Sequence, residues 1–383
     1  MKYEFETMTI GDCCDIIKKS IYPEKGQVYT CFSLPAFDNS NTPEILNGEE
    51  IKSSKFVLDE NTIIFNKLNP KFRRVWNIHS LEKYENTICS TEFLPLKAKT
   101  NIEQDYLYYY ISSPYFTSLM DGIRTGTSNS QQRIDWKQFL REQINVPSLP
   151  IQRKVVSLLS NIDKRIKLNN KINNNLEQQA QAIYQQIFID NVSSDWTEGT
   201  LSDIADITMG QSPSGSSYNE DSNGTIFFQG RAEFGFRFPT VRLYTTEPKR
   251  MACANDTLMS VRAPVGDLNV AHIDCCIGRG IAAIHSKNNH QSFVLYTMFS
   301  LKKQLDVFNG EGTVFGSINR KSLNEMPILI PSSEKLDEFE TLVAPMDAAI
   351  RNNYDEICRL VQLRDSLLPK LMSGELDVSD IDL

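Results

Sequence analysis

Basic residues interleaved with aromatic ones form a cluster in the first half of the sequence. The cluster comprises Lys67, Lys71, Phe72, Arg73, Arg74 and Trp76. A polar loop further along contains Ser128, Asn129, Gln131, Gln132 and Arg133. Lys and Arg neutralise phosphates, and Arg, Asn and Gln make bidentate hydrogen bonds to the edges of bases. Both stretches are therefore predicted to contact nucleic acid. For the loop, an ordinary polar surface is the alternative.

The second half of the sequence carries comparable residue types in its polar loops. The predicted contacts there are Arg231, Arg237, Arg262, Arg279, Asn319 and Arg320. Three phenylalanines alternate with other residues at positions 234, 236 and 238. This alternation predicts a strand with one buried face.

Motifs for catalysis are weak or absent. Residues 308–312, FNGEG, resemble the F-x-G-x-G loop of DNA methyltransferases, but they follow a late segment and no Asn-Pro-Pro-aromatic motif accompanies them. The sequence has no G-x-x-x-x-G-K-[ST] phosphate loop. Its four histidines show no ligand spacing, and no C-x-x-C occurs. We therefore predict no catalytic, cofactor-binding or metal-binding residues in this chain.

Composition suits a soluble protein of more than one domain. The 383 residues are 40% hydrophobic and 23% charged, and they contain no apolar run long enough for a membrane helix. The first residues lack the apolar core of a signal peptide, so reduced cysteines in the cytoplasm are expected. The net charge of -8 argues against nucleic acid, but residues 332–383 hold 12 acidic and only 5 basic residues. The remaining segments are near neutral and can present a basic face.

The chain contains an internal repeat. Residues 134–139 match residues 318–323, and the same offset along the chain pairs Asp163 with Asp347. Upstream, residues 9–12 match residues 200–203, and residues 60–65 match residues 255–260. Strand-like runs in each copy precede a proline-marked boundary and a helix-period segment. A duplication is predicted, with chance similarity between two unrelated α/β segments as the alternative.

Each copy ends in a long helical stripe of apolar residues spaced three and four apart, the pattern of a packed helix or coiled coil. Two distant stripes of matching length favour antiparallel pairing with each other, although two helices packed on their own domains remain possible. Pro345 is expected to begin or kink the second helix and Pro369 to lie in its last turns. The predicted pairing residues are Ile162, Ile166, Ile172, Leu176, Ile183, Ile350, Tyr354, Ile357, Leu360 and Leu367.

Several stretches of the second copy resemble the specificity subunit of type I restriction–modification systems. Residues 199–204, GTLSDI, are similar to the opening of a target recognition domain. Residues 210–214, GQSPS, resemble the loop after its first strand, and residues 261–267 and 277–282 resemble two further stretches. Residues 363–376 resemble the family's C-terminal ending. The resemblance adds Gln211, Ser212 and Ser214 to the predicted DNA contacts. The first copy lacks these stretches and looks like another subtype.

The resemblance implies an α+β fold with tandem duplicated target recognition domains, separated by two long helices that pair as an antiparallel coiled coil. The expected divisions are recognition domains at 1–147 and 191–331, helical spacers at 148–190 and 332–374, and an acidic tail at 375–383. It also implies a non-catalytic subunit in which each domain recognises one half of a split site on double-stranded DNA.

The implied partners are two copies of a methylation subunit, together with restriction subunits. S-adenosylmethionine, ATP and Mg would bind to those partners, and no membrane is involved. An orphan DNA methyltransferase or nuclease, or a coiled-coil scaffold that does not bind DNA, is the alternative.

Overall fold

The structure is a computed structural model that describes residues 4–125, 132–310 and 316–381. Three predicted DNA contacts, Ser128, Asn129 and Gln131, lie outside these residues. The chain divides into two compact units. Unit 1 comprises Met1–Lys167 and Ile357–Leu383, and unit 2 comprises Leu168–Glu356.

Unit 1 is built from thirteen described strands and five short helices, together with parts of two long helices. Its strands are β1 (Phe5–Thr9), β2 (Cys14–Ile16), β3 (Ser20–Ile21), β4 (Val28–Phe32), β5 (Glu44–Asn47), β6 (Lys55–Val57), β7 (Thr62–Asn66), β8 (Val75–Ile78), β9 (Ile88–Ser90), β10 (Phe93–Ala98), β11 (Arg124–Thr125), β12 (Arg133–Ile134) and β13 (Gln143–Pro147). Its short helices are α1 (Ile10–Cys13), α2 (Leu34–Ser40), α3 (Gln104–Ile111), α4 (Pro114–Gly122) and α5 (Trp136–Arg141).

Two main sheets organise unit 1, in the orders β2-β10-β7-β8 and β3-β6-β9-β4-β5. All neighbours are antiparallel except β4 and β9. The central strand β7 is buried on both faces. Ile63 and Phe65 pack in the core that contains the helices, whereas Ile64 packs with Trp76 and Phe93 in a second cluster. This alternation is the period of two that a strand imposes.

Unit 2 has the same kinds of element. The first long helix, α6 (Leu149–Tyr184), enters it from unit 1 and is followed by a π-helical stretch, Gln185–Asp190. Its strands are β14 (Thr197–Thr200), β15 (Ala205–Met209), β16 (Tyr218–Asn219), β17 (Thr225–Phe228), β18 (Leu243–Thr245), β19 (Met251–Ala252), β20 (Thr257–Ser260), β21 (Leu268–Val270), β22 (Cys275–Ile277), β23 (Ile281–Ser286) and β24 (Pro327–Ile330). Its helices are α7 (Leu201–Ile204), α8 (Gln291–Ser300), α9 (Lys302–Asp306), α10 (Arg320–Asn324) and the start of the second long helix, α11 (Ser333–Met372).

The sheets of unit 2 repeat those of unit 1. The order β15-β23-β20-β21 corresponds to β2-β10-β7-β8, and β14 pairs with β24 as β1 pairs with β13. Its five-stranded sheet, β16-β18-β17-β22-β19, also has a single parallel pair, β17 with β22. The two sheets share four strands and differ in the fifth. In unit 1 the fifth strand is β3, at the edge next to β6, and in unit 2 it is β16, at the opposite edge next to β18. In β20 the neighbouring residues Leu258 and Met259 pack in two different cores, as Ile64 and Ile63 do in β7.

The repeated TIGD and TLSD sequences have the same local structure in both units. Thr9 and Asp12 form a capping box at the start of α1, and Thr200 and Asp203 form one at the start of α7. In each box the aspartate accepts the backbone N–H of the threonine, and this hydrogen bond lowers the pKa of Asp203. The predicted duplication and the α+β fold are confirmed.

The long helices pair antiparallel within each unit. In unit 1 the start of α6 and the end of α11 share a core that includes Val155, Leu159, Leu368 and Leu371. In unit 2 the end of α6 and the start of α11 share another, with Ala180, Tyr184, Phe339, Val343 and Ile350 fully or almost fully buried and Leu176, Ile183 and Tyr354 packed at its edge. Ile162, Ile166, Ile357 and Leu360 are half-buried.

Two predictions about these helices need correction. Ile172 is 39% exposed, and the neighbouring Asn173, at 2% exposed, is buried instead. The amide of Asn173 donates to the Ile350 carbonyl (3.3 Å) and accepts from the Asn353 amide (2.8 Å), so hydrogen bonds offset the burial of this polar residue. Pro345 does not begin α11, because the helix begins twelve residues earlier at Ser333, and the other predicted role of Pro345, a kink, stays a prediction. Pro369 lies in the last turn, as predicted.

Candidate nucleic-acid interface

In unit 2, four chain segments meet at one end of the sheets. They are the loop after β15, the turn after β17, the turn after β20 and the turn before β23. Backbone hydrogen bonds hold them together: Gly210 N–H to the Ile281 carbonyl (2.9 Å), Gly278 N–H to the Phe228 carbonyl (2.8 Å) and Val261 N–H to the Gly280 carbonyl (2.9 Å). The approach at Gly210 is so close that a Cβ there would lie 2.2 Å from the Gly278 carbonyl oxygen. Glycine is therefore required where these turns cross.

These turns bring several predicted contacts to one surface depression. Its polar lining consists of Ser212, Gln229, Arg231, Arg262 and Arg279. The backbone N–H of Arg279 donates to Ser212 Oγ (3.3 Å), and Arg231 forms an ion pair with Asp267. The three arginines are exposed. A concave surface with three guanidinium groups and two neutral polar groups suits phosphate oxygens and base edges. Gln229 was missed by sequence reasoning, although it directly precedes Gly230 and Arg231.

The remaining predicted contacts of unit 2 lie in neighbouring loops, with one exception. Ile318 N–H donates to the Val261 carbonyl (3.1 Å), which brings the start of α10 beside the turn of Arg262. Asn319 caps α10 by accepting the Ser322 N–H (2.9 Å), and Arg320 is exposed. Gln211 and Ser214 are exposed in the loop after β15.

Arg237 is the exception, because its side chain is only 4% exposed. It lies in an irregular segment, so the predicted strand at 234–238 is also wrong. Arg237 Nη2 lies 3.1 Å from Asp347 Oδ1 and 3.5 Å from Glu177 Oε1, on the two long helices. Burial alone would lower the pKa of Arg237, but Tyr296, Asp347 and Glu177 raise it above its ordinary value. Arg237 therefore joins its loop to the two long helices within unit 2, and its side chain does not line the depression formed by Arg231, Arg262 and Arg279.

In unit 1 the predicted cluster is a turn between β7 and β8. Lys71 and Arg73 are exposed and Lys67 is half-buried. Arg74 makes two hydrogen bonds to Asp38 (2.7 and 2.8 Å), and its guanidinium lies 4.8 Å from the centroid of the Phe72 ring. Phe72 is itself 48% exposed. The turn therefore presents one aromatic ring with cations around it.

Gln132 and Arg133 lie against this turn. Asn69 N–H donates to the Gln132 carbonyl (2.8 Å), and Arg133 forms a β-bridge with Leu68. The Arg133 guanidinium is 2.7 Å from Glu92, which directly precedes β10. A β-bridge in unit 2, between Arg262 and Ser317, has the same place in the repeat. The predicted residues of the two units therefore occupy equivalent strand ends.

The nearest approaches to a catalytic or metal site in the sequence are the histidines, the cysteines and the motif at 308–312. Among residues 4–125, 132–310 and 316–381, no group of three His, Cys, Asp or Glu side chains gathers as metal ligands. Phe308 and Asn309 form a 3-10 turn after α9, and the rest of that glycine-containing motif extends to residues outside the described ranges. All eight cysteines are free thiols. In the part of the chain that is described, none of the helices has both the length and the apolar character needed to cross a membrane.

The fold and the equivalent strand ends define a duplicated recognition module, and family comparison agrees. The model of the type I restriction modification DNA specificity domain matches residues 2–178 and 193–344. The chain therefore belongs to this family.

Relatives of the chain carry the corresponding names. One from Methanocaldococcus jannaschii, assigned the name type I restriction enzyme MjaX specificity subunit, is 28% identical over 355 residues, covering 88% of this chain and 82% of its own. The type I restriction enzyme HindI specificity subunit of Haemophilus influenzae is 20% identical, covering 87% and 90%. The crystal structure of a type I restriction-modification S subunit from M. genitalium has a TM-score of 0.60 at 17% identity and covers 96% of both chains, which shows a shared fold.

Proposed function

We propose that this chain is the sequence-specific DNA-recognition subunit of a type I restriction–modification complex. Each unit recognises one half of a bipartite site on double-stranded DNA. The observation that supports this most strongly is the convergence of Ser212, Arg231, Arg262 and Arg279 on one depression. The equivalent strand ends in unit 1 carry Lys67, Lys71 and Arg73. Family membership supports the same conclusion.

The chain supplies recognition and leaves chemistry to its partners. Two methylation subunits dock on it, restriction subunits join them, and the assembly works in the cytoplasm. S-adenosylmethionine, ATP and Mg bind to those partners. The chain's own part in the reaction is to hold a chosen DNA sequence beside the methylation subunits, so its residues affect which base is modified and not the chemistry of transfer.

The test is to map methylated DNA motifs in cells that express this chain with its methylation subunit. We expect a motif with two specified halves and an unspecified gap. Arg262→Ala or Arg279→Ala should relax one position in one half only, because loss of a base contact costs about 1–3 kcal/mol.

Lys287→Ala is the matched control for these variants. The six-residue strand β23, about 20 Å long, separates Lys287 from the turn that contains Arg279. The control variant should leave the motif unchanged. A motif that is continuous, or that no variant alters, would contradict the proposal.

A second experiment separates this proposal from an orphan enzyme. The purified chain alone should neither methylate nor cleave DNA when S-adenosylmethionine, ATP and Mg are supplied. Addition of the methylation subunit should restore methylation. Methyl transfer by the chain alone would overturn the assignment, and absence of salt-dependent DNA binding by the assembled complex would favour a scaffold.

A further inference from the structure

Unit 1 has a basic and aromatic surface patch that the sequence analysis did not single out. Lys18 Nζ lies 3.8 Å from the centroid of the Trp136 ring, and Lys137 Nζ lies 5.8 Å from it. Trp136 is 40% exposed, which is unusual for so large an apolar side chain. Lys67, from the predicted cluster, is near enough to Lys18 that its charge affects the ammonium.

The ammonium groups of the patch form no ion pair among the described residues. No carboxylate oxygen of these residues lies within 4.0 Å of the Lys18, Lys67 or Lys137 Nζ, and the nearby Asp135 carboxylate accepts the backbone N–H of Lys137 (2.7 Å). Burial lowers the pKa of Lys18 from its ordinary value, and the charge of Lys67 lowers it further. Cations that stand close together without a counter-charge repel one another, and an anion between them removes that cost.

The repeat places this patch at the predicted interface. Trp136 and Lys137 correspond to Arg320 and Lys321 at the constant offset of the repeat. Ile134 N–H donates to the Lys67 carbonyl (3.0 Å) as Ile318 N–H donates to the Val261 carbonyl (3.1 Å), so α5 and α10 hold equivalent positions. Lys18 follows β2 as the loop with Gln211 follows β15.

The two equivalent helices differ in charge. In α10, Lys321 has Glu325 four residues later, with their charged atoms 3.9 Å apart. The residue four after Lys137 is Arg141. An attraction within unit 2 is therefore replaced by an additional positive charge in unit 1.

We propose that Lys18, Lys67 and Lys137, with the Trp136 ring beside Lys18 and Lys137, bind backbone phosphates of the DNA duplex. This inference rests on the proposed function and adds contacts to it. Lysine is a flexible point charge that suits phosphates and does not distinguish bases. The Trp136 face stabilises the ammonium of Lys18 by a cation–π interaction. The patch therefore sets affinity and register in unit 1, and other residues select the sequence.

The experiment measures DNA affinity of the assembled complex against salt concentration, with the mapped target and a scrambled duplex as probes. Each lost phosphate contact should reduce the slope of log K against log salt by about 0.9. Raising the salt from 50 to 200 mM weakens DNA binding by both proteins. The factor by which wild-type affinity falls should be roughly ten times the factor for the Lys18→Ala/Lys137→Ala variant, because the variant has lost two phosphate contacts. Affinity should fall on both probes, and the methylated motif should remain the same.

Lys25→Ala/Lys83→Ala is the matched control, because it removes the same charge. Both lysines are exposed. Asn86, near Lys83 in sequence, donates hydrogen bonds to Gln27 and Val28 at the start of β4, the end away from the interface. The control should leave the salt slope unchanged. Equal slopes for the two double variants would overturn the inference, and so would an altered motif or a loss of methylation-subunit binding with DNA affinity intact.

Trp136 provides an independent readout. Trp136→Ala should weaken binding to both probes, because Lys18 loses the ring that holds it. Trp136→Phe should retain most of the affinity, since a phenyl face also attracts a cation. Equal losses for both variants would contradict the cation–π role. If Arg262→Ala changes the motif while the patch variants change nothing, the proposed function stands and this inference fails.

Discussion

Each unit has an aspartate at the equivalent position of the repeat, and the two aspartates have different surroundings. Asp163 and Asp347 are matched by the repeat and lie on α6 and α11. Each accepts a hydrogen bond from the tyrosine at the sixth residue of an equivalent helix: Tyr109 at 2.7 Å in unit 1 and Tyr296 at 2.9 Å in unit 2. Each also contacts one arginine, Arg364 at 3.0 Å in unit 1 and Arg237 at 3.1 Å in unit 2.

The arginine comes from a different element in each unit. Arg364 is on the long helix α11, and its side chain is 31% exposed. Arg237 is in the loop after β17 and is 4% exposed. The aspartate and the tyrosine thus occupy equivalent positions in the two units, whereas the arginine does not. The triad of aspartate, tyrosine and arginine therefore links helices to one another in unit 1, whereas in unit 2 it links a loop to helices.

Loss of Arg237 should have the largest effect on stability. Arg237→Met keeps most of the apolar packing but leaves two largely buried carboxylates, Asp347 and Glu177, without their cation. Breaking such a pair costs about 3 kcal/mol. Hydrogen exchange of the β20 and β23 amides should report the loss of stability in unit 2, while β7 and β10 report unit 1 as the internal control. An unchanged exchange rate in β23 would show that Arg237 is dispensable.

The deficit of Arg237→Met should depend on pH. Burial already raises the pKa of Asp347 and of Glu177 above their ordinary values, although Arg237 lowers both. Without Arg237 these pKa values rise further. A carboxyl with a raised folded-state pKa loses stability as the pH rises through that pKa, so the deficit should be largest at high pH and shrink on acidification. Adding Asp347→Asn to the variant should remove much of this dependence, and a deficit that is the same at pH 8 and pH 5.5 would contradict the account.

Removal of a tyrosine hydroxyl should have the next largest effect on stability. Tyr296 is 1% exposed, and its hydroxyl both donates to Asp347 and accepts from Arg237 Nη2 (2.9 Å). Tyr296→Phe should cost about 2 kcal/mol, because a buried charged network loses a member. Tyr109→Phe, with a single bond to a more exposed aspartate, should cost about 1 kcal/mol. Urea denaturation followed by unit-specific hydrogen exchange measures both, and a larger loss for Tyr109→Phe would reverse the comparison.

The sequence predicted the features that depend on the internal repeat and on the helical spacing of apolar residues. The constant offset of the repeat aligned Asp163 with Asp347, and the strand-like runs bounded by loop residues correspond to strands such as β7 and β20. It did not locate the burial of Arg237, because an arginine in a polar loop has the same local signature whether it contacts solvent or the acids of a distant helix. Ile172 and Asn173 show the same limit: adjacent positions fit a helical stripe about equally, and only tertiary hydrogen bonds select the asparagine. Gln229 and Trp136 became visible only through the turns that bring them to the interface.

The smallest effect should come from Arg364→Met. Arg364 and Asp163 are each about one-third exposed, and Arg364 also contacts Asp365 at 2.9 Å, so water and a second carboxylate share its charge. An ion pair of this kind contributes about 0.5 kcal/mol, and salt at 0.5 M should screen most of it. Arg237 is shielded from that screening by burial. The deficit of Arg364→Met, measured in unit 1 by the β10 amides, should therefore disappear in 0.5 M sodium chloride, while the deficit of Arg237→Met in unit 2 persists. If both deficits disappear, the difference in burial does not govern the two triads; if neither does, Arg364 acts through the packing of its aliphatic stem.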